Sequence, residues 1–395
     1  MIRRLHELIA PLSEREFLDA FSRKRRLVVK TTQPERTASL LPWAVINRLI
    51  AGMPSPDVRL KLKDHTVDEL LYRTGPSGRL RPDALQQLAA QGISIVLIHT
   101  HRHAPAIETL ANAIERRLGH RVHVNCYITF GTASAFTAHA DNHDVLIVQV
   151  HGAKRWRGYG IPTPFPLEDF PPKPKRKCIA YGDPVWEELI EPGDVLYLPR
   201  GEAHDAVGEV KPSVHLTLGI TPPTGIDLLD WMKQRAKNDV ECRMDVSRVG
   251  GEESLRNHAL VLKRRLHELV DQLSLDAFLD DLDHQRSLRT RLNFASDNAL
   301  RPDTWLSPTP KRRIVLGSDA EDETEVTFGG RDFQLSPSAR RTLFLLLEED
   351  GLSFGALAEK LATTVENKEL CEIVKQLAAK GLVAIESYET SILLS

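Results

Sequence analysis

The middle of the chain carries five short apolar segments that are rich in β-branched residues and bounded by Gly, Pro or Asp. They are Ile93–His99, Val122–Thr129, Val145–Val150, Val195–Leu198 and Val214–Ile220. Segments of this length and composition are typical of β-strands. Their irregular spacing and long intervening loops favour a closed or double-sheet architecture such as a jelly roll over a parallel α/β sheet. The sequence therefore predicts a mainly β core, with a helix over Ala104–Leu118 between the first two strands.

Predicted helices flank this β core on both sides. Before it, Ser13 and Glu16 form a capping box that predicts a helix over Glu14–Ser22, and a second helix is expected around Trp43–Ala51. We interpret this N-terminal part as a helical cover for the core. After it, the pattern predicts three amphipathic helices: Gly225–Lys237, Glu252–Leu273 and Leu275–Leu292. Such helices form a dimer interface or pack within their own chain, and we favour a homodimer.

The last part of the chain has the outline of a winged helix, with three short helices followed by a strand. These elements are expected at Ser338–Glu349, Ser353–Leu361, Glu366–Lys380 and Leu382–Glu386. From Leu306 to Ser395, ten Lys and Arg stand against fifteen Asp and Glu, a net charge of −5. Because binding to nucleic acid phosphates needs a basic face, we expect a protein-interaction module and no DNA binding. The predicted domains are thus 1–222, 223–300 and 306–395.

The overall composition argues against several other classes of protein. With 42% hydrophobic and 27% charged residues, the 395-residue chain has the balance of a soluble globular protein. Its net charge of −2 gives no field that would attract nucleic acid or an anionic membrane. No apolar run reaches the roughly 20 residues of a membrane span, and the first ten residues lack the apolar run of a signal peptide. The four cysteines form no CxxC pair, so we expect reduced thiols and a cytoplasmic protein.

Three residues have the types and spacing of a metal site. His139 and Asp141 are two positions apart at the start of an apolar strand, so their side chains can face one cavity. Sixty-three residues after Asp141, the turn and strand of Pro192–Leu198 lead to His204. Two imidazoles and one carboxylate on one side of an ion leave adjacent positions open, as in non-haem Fe(II) oxygenases. The same donors also hold zinc in some hydrolases, so the triad alone leaves the metal open.

A cation near the triad favours iron. An Fe(II) oxygenase of this type uses a dicarboxylate cosubstrate and needs a positive side chain for the far carboxylate. Lys154 lies fifteen residues after His139 on the next probable strand and is the candidate for this charge-assisted contact.

Three stretches of the sequence resemble the JmjC-type cupins of the ribosomal-oxygenase branch, which are Fe(II)- and 2-oxoglutarate-dependent protein hydroxylases. The resemblance covers roughly Leu12 to Ile220. Its pieces are Asn125-Cys-Tyr127-Ile-Thr129, the segment from His139-Ala-Asp141 to Gln149-Val-His-Gly-Ala-Lys154-Arg-Trp-Arg157, and Pro192-Gly-Asp to His204. Each piece alone is weak, but the three occur in the family's order and at its spacing.

This resemblance implies a double-stranded β-helix in which His139, Asp141 and His204 bind Fe(II) and Lys154 binds the carboxylate of 2-oxoglutarate. It further implies that Asn125 and Tyr127 line the cosubstrate pocket. The later strand contributes Ser213, His215 and Thr217. The resemblance also implies that O2 is the oxidant and that the substrate is a protein side chain, with a ribosomal protein as the favoured target. The family also has a helical dimerisation segment and a C-terminal winged helix.

Other features leave alternatives open. Ala140 stands where the family usually has Tyr, and His143 and Asp144 follow closely, so the family's substrate residue cannot be carried over. The rivals are a hydroxylase of a small molecule or peptide natural product and a non-catalytic metal-binding cupin that acts as an adaptor.

We interpret His99, His101 and His103 as structural or pocket-rim histidines. Further expectations concern Trp156 as a core residue, Cys126 as an ordinary thiol and the basic run Lys173–Lys177 as a solvated loop.

Overall fold

A computed structural model describes most of the chain, and the chain divides into two compact units, Met1–Pro222 and Pro223–Ser395. The described residues are 2–31, 33–62, 65–74, 78–132, 136–170, 181–246, 249–285, 300–309, 324–328 and 331–386. The basic run Lys173–Lys177 and the end of the predicted helix Leu275–Leu292 lie outside them. The division into three domains stays a prediction.

The first unit combines six short helices with twelve strands among its described residues. The helices are α1 (Leu5–Ile9), α2 (Glu14–Ser22), α3 (Glu35–Ala38), α4 (Trp43–Gly52), α5 (Pro82–Ala90) and α6 (Pro105–Leu118). The strands are β1 (Leu27–Val29), β2 (Val58–Leu62), β3 (His65–Thr66), β4 (Arg73–Thr74), β5 (Arg79–Leu80), β6 (Ser94–Leu97), β7 (Arg121–Thr129), β8 (His139–Ala140), β9 (Asp144–Gly158), β10 (Trp186–Ile190), β11 (Val195–Leu198) and β12 (Ala203–Thr221). The mainly β core that the sequence predicts is therefore confirmed.

Ten of these strands form one antiparallel sheet in which β9 and β12 are central. The order along the sheet is β1-β11-β9-β12-β7-β6-β2-β3, while β10 pairs with β9 and β8 pairs with β12. Along β7, residues alternate between a fully buried face, which includes Val124 and Cys126, and a half-buried face that includes Asn125 and Tyr127. The buried face packs into the main hydrophobic core with residues of α2, α4 and α6. The half-buried face is therefore left for polar side chains.

The strands β9 and β12 are much longer than the predicted segments Val145–Val150 and Val214–Ile220. The apolar segment Val145–Val150 is only the first half of β9, which continues to Gly158. Its first half pairs with β11 and its second half with β10. Gly152 lies between the halves with φ of 59°, and a Cβ there would lie 2.3 Å from the carbonyl oxygen of Val210. Glycine lets the two backbones approach this closely. Lys154 thus lies on β9, the strand that follows β8 with His139, in agreement with the sequence. The sequence placed the end of this strand too early, at Val150, because its second half is polar.

The N-terminal helices are anchored to the sheet. Ser13 and Glu16 form the expected capping box, and α2 has the predicted bounds. Phe17 and Phe21 of α2 contact the ring of Tyr197 in β11, with ring centroids 5.9 and 5.6 Å apart. The short strand β1 pairs antiparallel with β11 in the same region. The N-terminal part thus covers the β11 edge of the core.

The second unit begins with helices and ends with a mixture of short strands and helices. Its elements are α7 (Gly225–Ala236), α8 (Val240–Arg243), α9 (Gly251–Asp271), α10 (Leu275–Gln285), β13 (Trp305–Pro308), β14 (Thr324–Phe328), β15 (Arg331–Leu335), α11 (Pro337–Glu348), β16 (Leu352–Ser353), α12 (Phe354–Leu361), α13 (Asn367–Ala379) and β17 (Val383–Glu386). The strands β16, β13 and β17 form one sheet, and β14 pairs with β15. The apolar residues of α11, α12 and α13 share one hydrophobic core with β13. Among the described helices of both units, none is long and apolar enough to cross a membrane.

Candidate metal centre and neighbouring pocket

The three candidate ligands are brought together by a single strand pairing. β8 pairs antiparallel with β12 so that His139 lies directly opposite His204, and Asp141 follows β8 by one residue. The side chains can each offer a donor atom such that all three atoms lie within 4.8 Å of one another. The Nε2 atoms of His139 and His204 lie 3.8 Å from Oδ1 and Oδ2 of Asp141, respectively. In the part of the chain that the structure describes, this is the one such group of His, Cys, Asp or Glu.

Both histidines are held in the tautomer that metal binding requires. The Nδ1 atom of His139 lies 2.9 Å from the carbonyl oxygen of Thr137, and that of His204 lies 2.9 Å from the carbonyl oxygen of Glu202. Because a carbonyl oxygen only accepts, each Nδ1 carries the proton in these bonds. The lone pair is then on Nε2, the atom that faces Asp141. Such hydrogen bonds orient metal-binding imidazoles and increase their basicity.

The charges of the triad also suit a divalent cation. Burial, and secondarily His139, lower the pKa of His204 to about 4, so its imidazole is neutral at physiological pH. For Asp141, burial favours the protonated form, but His204 and His139 outweigh it and keep the pKa of its carboxyl below the usual value. Two neutral nitrogens and one carboxylate are the donors that Fe(II), and also zinc, accepts. The residues therefore fit the metal that the sequence predicts.

A polar pocket lines the same face of β7 and β12. Cross-strand pairs place Thr217 opposite Asn125, His215 opposite Tyr127 and Ser213 opposite Thr129. The rings of Tyr127 and His215 stack with centroids 4.9 Å apart and an angle of 4°. The Oδ1 atom of Asn125 accepts the backbone N–H of His99 at 3.0 Å. The sequence-predicted pocket residues are thus neighbours, in register, on one surface.

Lys154 is a buried cation at this pocket. It is 4% exposed, and its Nζ donates to Oγ1 of Thr129 at 2.9 Å. No carboxylate lies within ion-pair distance of Nζ among the described residues. Burial lowers the pKa of Lys154 to about 7. Buried charges are normally paired, so this one fits an anionic ligand.

Three buried polar atoms on β9 and β12 have no hydrogen-bond partner among the described residues. They are Nε1 of Trp156, Oε1 of Gln149 and Nδ1 of His215. Trp156 is 5% exposed and belongs to a hydrophobic cluster, which confirms its expected core position. However, its ring also lies 5.8 Å from His204 and 5.4 Å from His215, so it borders both the metal ligands and the pocket. Buried polar atoms without partners are rare in folded proteins, and a polar ligand would satisfy some of these.

Sequence reasoning missed a pair of stacked histidines beside the ligands. The rings of His123 and His143 lie 5.0 Å apart at an angle of 22°. Gly219 on β12 makes room for them, because a Cβ there would lie 2.2 Å from His123 and 2.4 Å from His143. Burial, and secondarily His143, lower the pKa of His123 to about 4. The inward direction of His123 could have been found from its alternation with Asn125 and Tyr127.

The other singled-out residues have structural surroundings. His99 precedes a 3₁₀-helix over Thr100–Arg102, and His101 is buried and accepts the backbone N–H of Val124 at Nδ1. His103 lies 3.8 Å from a carboxylate oxygen of Asp57. Cys126 is on the core face of β7, where burial raises the pKa of its thiol to about 12. A thiol with this pKa is inert at neutral pH.

Residues 96–228 match the family profile of the JmjC domain. This part of the chain is therefore similar to a JmjC domain. The JmjC region includes all three candidate ligands and Lys154. It also includes the complete β7, β9 and β12 strands that carry the pocket.

The chain is also similar to curated proteins and to solved structures. It is 27% identical over 235 residues to the bifunctional lysine-specific demethylase and histidyl-hydroxylase NO66 of Drosophila willistoni, covering 55% of this chain and 29% of that protein. The NO66 protein of Drosophila yakuba is 28% identical over 227 residues, with 55% and 32% covered. The chain thus spans about a third of the length of these relatives.

Among solved structures, the chain shares the fold of YcfD, a ribosomal oxygenase from Escherichia coli. The complex with cobalt and succinic acid aligns with a TM-score of 0.55 and 16% identity over 95% of this chain and 99% of YcfD. The complex with cobalt and 2-oxoglutarate gives a TM-score of 0.54 with the same identity and coverage. At this identity the likeness supports the fold alone.

Proposed function

We propose that this chain is an Fe(II)- and 2-oxoglutarate-dependent oxygenase that hydroxylates a side chain of another protein. The observation that carries the proposal is Lys154, a buried cation without a carboxylate partner among the described residues, on the same sheet face as a His-Asp-His triad. The triad alone would also suit zinc, but a dicarboxylate cosubstrate requires a cation in this position. The relatives support the assignment, because they include a histidyl-hydroxylase and a ribosomal oxygenase with a structure in complex with cobalt and 2-oxoglutarate.

The residues have separate parts in the proposed reaction. His139, Asp141 and His204 would hold Fe(II), while Lys154 and Thr129 would bind the far carboxylate of 2-oxoglutarate, with Asn125, Tyr127, Ser213 and Thr217 around it. When bound, the metal, 2-oxoglutarate and O2 supply the oxidation, in which one oxygen atom enters the substrate C–H bond and the other enters succinate, with loss of CO2. Trp156 and the stacked pair of Tyr127 and His215 exclude water from the space between ligands and cation. The ionised carboxyl of Asp141 and the neutral imidazole of His204 need no proton exchange before the metal binds.

For the substrate we propose a ribosomal protein. The support is the similarity to YcfD, a ribosomal oxygenase, and to NO66, a histidyl-hydroxylase. The test is mass spectrometry of ribosomal proteins from cells with and without the gene. We expect one tryptic peptide to lose 16 Da in the deletion strain and to regain it when the purified protein, Fe(II) and 2-oxoglutarate are added. If only a small metabolite changes, the small-molecule alternative is correct.

The pH dependence of 2-oxoglutarate binding follows from Lys154. Its ammonium form binds the carboxylate, and burial lowers its pKa to about 7 before the cosubstrate enters. Above pH 7 a proton must therefore be taken up on binding, so apparent affinity should fall by about tenfold per pH unit. Isothermal titration calorimetry of the metal-loaded protein between pH 6.5 and 8.5 measures this slope.

The neighbours of Lys154 do not titrate in this pH range. Burial raises the pKa values of Cys126 and Tyr127 to about 12. Burial lowers the pKa of His204 to about 4 and that of His215 well below its usual value. The variant Lys154→Arg keeps its charge over the range and should bind with a flat pH profile. An equally flat profile for the wild-type protein would contradict the assignment of Lys154.

We further propose that the α7–α10 segment forms a homodimer and that the C-terminal elements form a winged helix that binds protein. Exposed apolar side chains on α7 and α9 support the dimer: Ile226, Leu229, Leu260, Leu266 and Val270 are each more than half exposed. Large apolar side chains exposed together commonly mark an interaction surface. Sedimentation equilibrium should give a molecular mass of twice the chain mass. The double variant Leu260→Glu/Leu266→Glu should have the mass of a single chain. Cytoplasmic location stays a prediction.

A further inference from the structure

Asp144 is a completely buried carboxylate between the two segments that carry the candidate metal ligands. Its side chain is 0% exposed, and its oxygens accept hydrogen bonds from three different parts of the chain. Oδ1 accepts the hydroxyl of Tyr197 and the backbone N–H of Arg200, each at 3.0 Å. Oδ2 accepts the ammonium of Lys24 at 2.5 Å. A buried carboxylate is tolerated only when it is paired and hydrogen-bonded in this way.

These bonds join one ligand segment to the other. Asp144 is three residues after Asp141, and Arg200 is four residues before His204. Next to the Arg200 bond, the backbone N–H of Gly201 donates to the carbonyl oxygen of Asp141 at 3.0 Å. Two adjacent hydrogen bonds thus fix the turn before His204 against the chain that carries Asp141.

Lys24 adds a connection to the N-terminal cover. It follows the end of α2 and has φ of 52°, a left-handed conformation that favours glycine after a helix. A lysine at this position is strained, but its Nζ crosses the ring of Phe21 at 4.5 Å and reaches Asp144. Backbone strain is retained where the side chain has a use. Here the side chain is the counter-charge of a buried carboxylate.

We propose that Asp144 is a positioning residue that sets the distance between Asp141 and His204, and that Lys24 couples this residue to the N-terminal cover. The inference rests on the metal site proposed above. Asp144 is not one of the three grouped ligands, so it acts through the two ligand segments that its hydrogen bonds join. Residues that orient metal ligands typically change metal affinity by about 10- to 100-fold when they are replaced.

The chain contains a matched control for this residue. Asp194 is 3% exposed and is bound by Nζ of Lys30 at 2.7 Å and by the backbone N–H groups of Thr31 and Glu191. It is therefore another buried carboxylate paired with an N-terminal lysine. However, it lies at the opposite end of β11, and its side-chain bonds involve neither ligand segment. Replacing Asp194 therefore measures how much stability is lost with such a buried pair when the ligand segments are left intact.

The experiment measures Mn(II) binding to the full chain by the loss of the free-ion EPR signal, with thermal unfolding followed in parallel. Asp144→Asn should weaken Mn(II) binding by at least about tenfold. Asp194→Asn should lower the unfolding temperature comparably and leave Kd within about twofold of wild type. Tyr197→Phe, which removes a single hydroxyl, should weaken binding by a smaller factor, and it serves as the test if Asp144→Asn does not fold.

The outcomes are distinguishable. Equal weakening by Asp144→Asn and Asp194→Asn, or wild-type affinity in Asp144→Asn, would overturn the positioning role. Wild-type affinity in Tyr197→Phe would overturn it where Asp144→Asn cannot be purified. A wild-type protein that binds no Mn(II), although it is folded, would instead remove the metal site itself, and the inference would fall with it.

Discussion

Asp141→Ala is expected to abolish metal binding and to reduce 2-oxoglutarate turnover by more than about 100-fold. This loss exceeds the factor of about 10 to 100 that is typical of replacing residues that only orient metal ligands. Asp141 supplies the only negative charge of the triad and lies 3.8 Å from the Nε2 atoms of both histidines. Without it, two neutral imidazoles face the metal. Succinate release in the presence of Fe(II) and O2 measures turnover, and Mn(II) titration measures binding.

Asp205→Asn provides the control for this prediction. Asp205 follows His204 directly, but its carboxylate accepts two bonds from Arg157 at 2.8 Å and one from Tyr159 at 3.1 Å. Asp205 is therefore an acidic residue next to a ligand, but its negative charge is already paired with Arg157. We expect this variant to retain metal binding. Turnover at the wild-type rate in Asp141→Ala would refute the triad.

Lys154→Met is expected to raise the KM for 2-oxoglutarate by about 100-fold or more while the metal still binds. Breaking a buried charge pair by removing one partner costs about 3–5 kcal/mol, and each 1.4 kcal/mol is a factor of ten. In the cosubstrate-free protein the same change should be neutral or stabilising, because it removes a buried cation without a carboxylate partner among the described residues. Steady-state kinetics and thermal unfolding without 2-oxoglutarate test the two parts separately.

A loss of stability together with an unchanged KM would assign Lys154 a structural role only. Lys154→Arg keeps the charge but places it on a larger, planar group. It should recover part of the affinity if charge is what the pocket supplies. If neither variant changes KM, Lys154 does not bind the carboxylate of 2-oxoglutarate.

The mainly β core and the grouping of His139, Asp141 and His204 were accessible from sequence because both depend on local patterns. Strand alternation places His139 and Asp141 on one side, and the turn of Pro192–Leu198 delivers His204 opposite His139. The apolar segments mark the strands β6, β7 and β11 closely. The same patterns did not predict the second half of β9, because Lys154 and Trp156 are polar or partly polar and Gly152 has a positive φ.

The remaining features depend on contacts between residues that are distant in sequence. The pairing of His123 with His143 requires a glycine on a third segment, Gly219. The bond of Lys24 to Asp144 spans 120 positions, and a lysine in a left-handed conformation after a helix gives no sequence signal. Thr129 acquires its role only because the bend of β9 brings Lys154 to it. Such arrangements follow from the tertiary structure and not from local propensity.

The central claim is that one site holds both a metal and 2-oxoglutarate, with Lys154 as the link between them. Anaerobic titration of the purified chain with Fe(II) and 2-oxoglutarate tests it most directly, because 2-oxoglutarate coordinated to Fe(II) gives a weak visible charge-transfer band. We predict that the band appears with the wild-type protein, disappears in Asp141→Ala and needs far more 2-oxoglutarate in Lys154→Met. A folded wild-type protein that binds Fe(II) but gives no band at saturating 2-oxoglutarate would contradict the account.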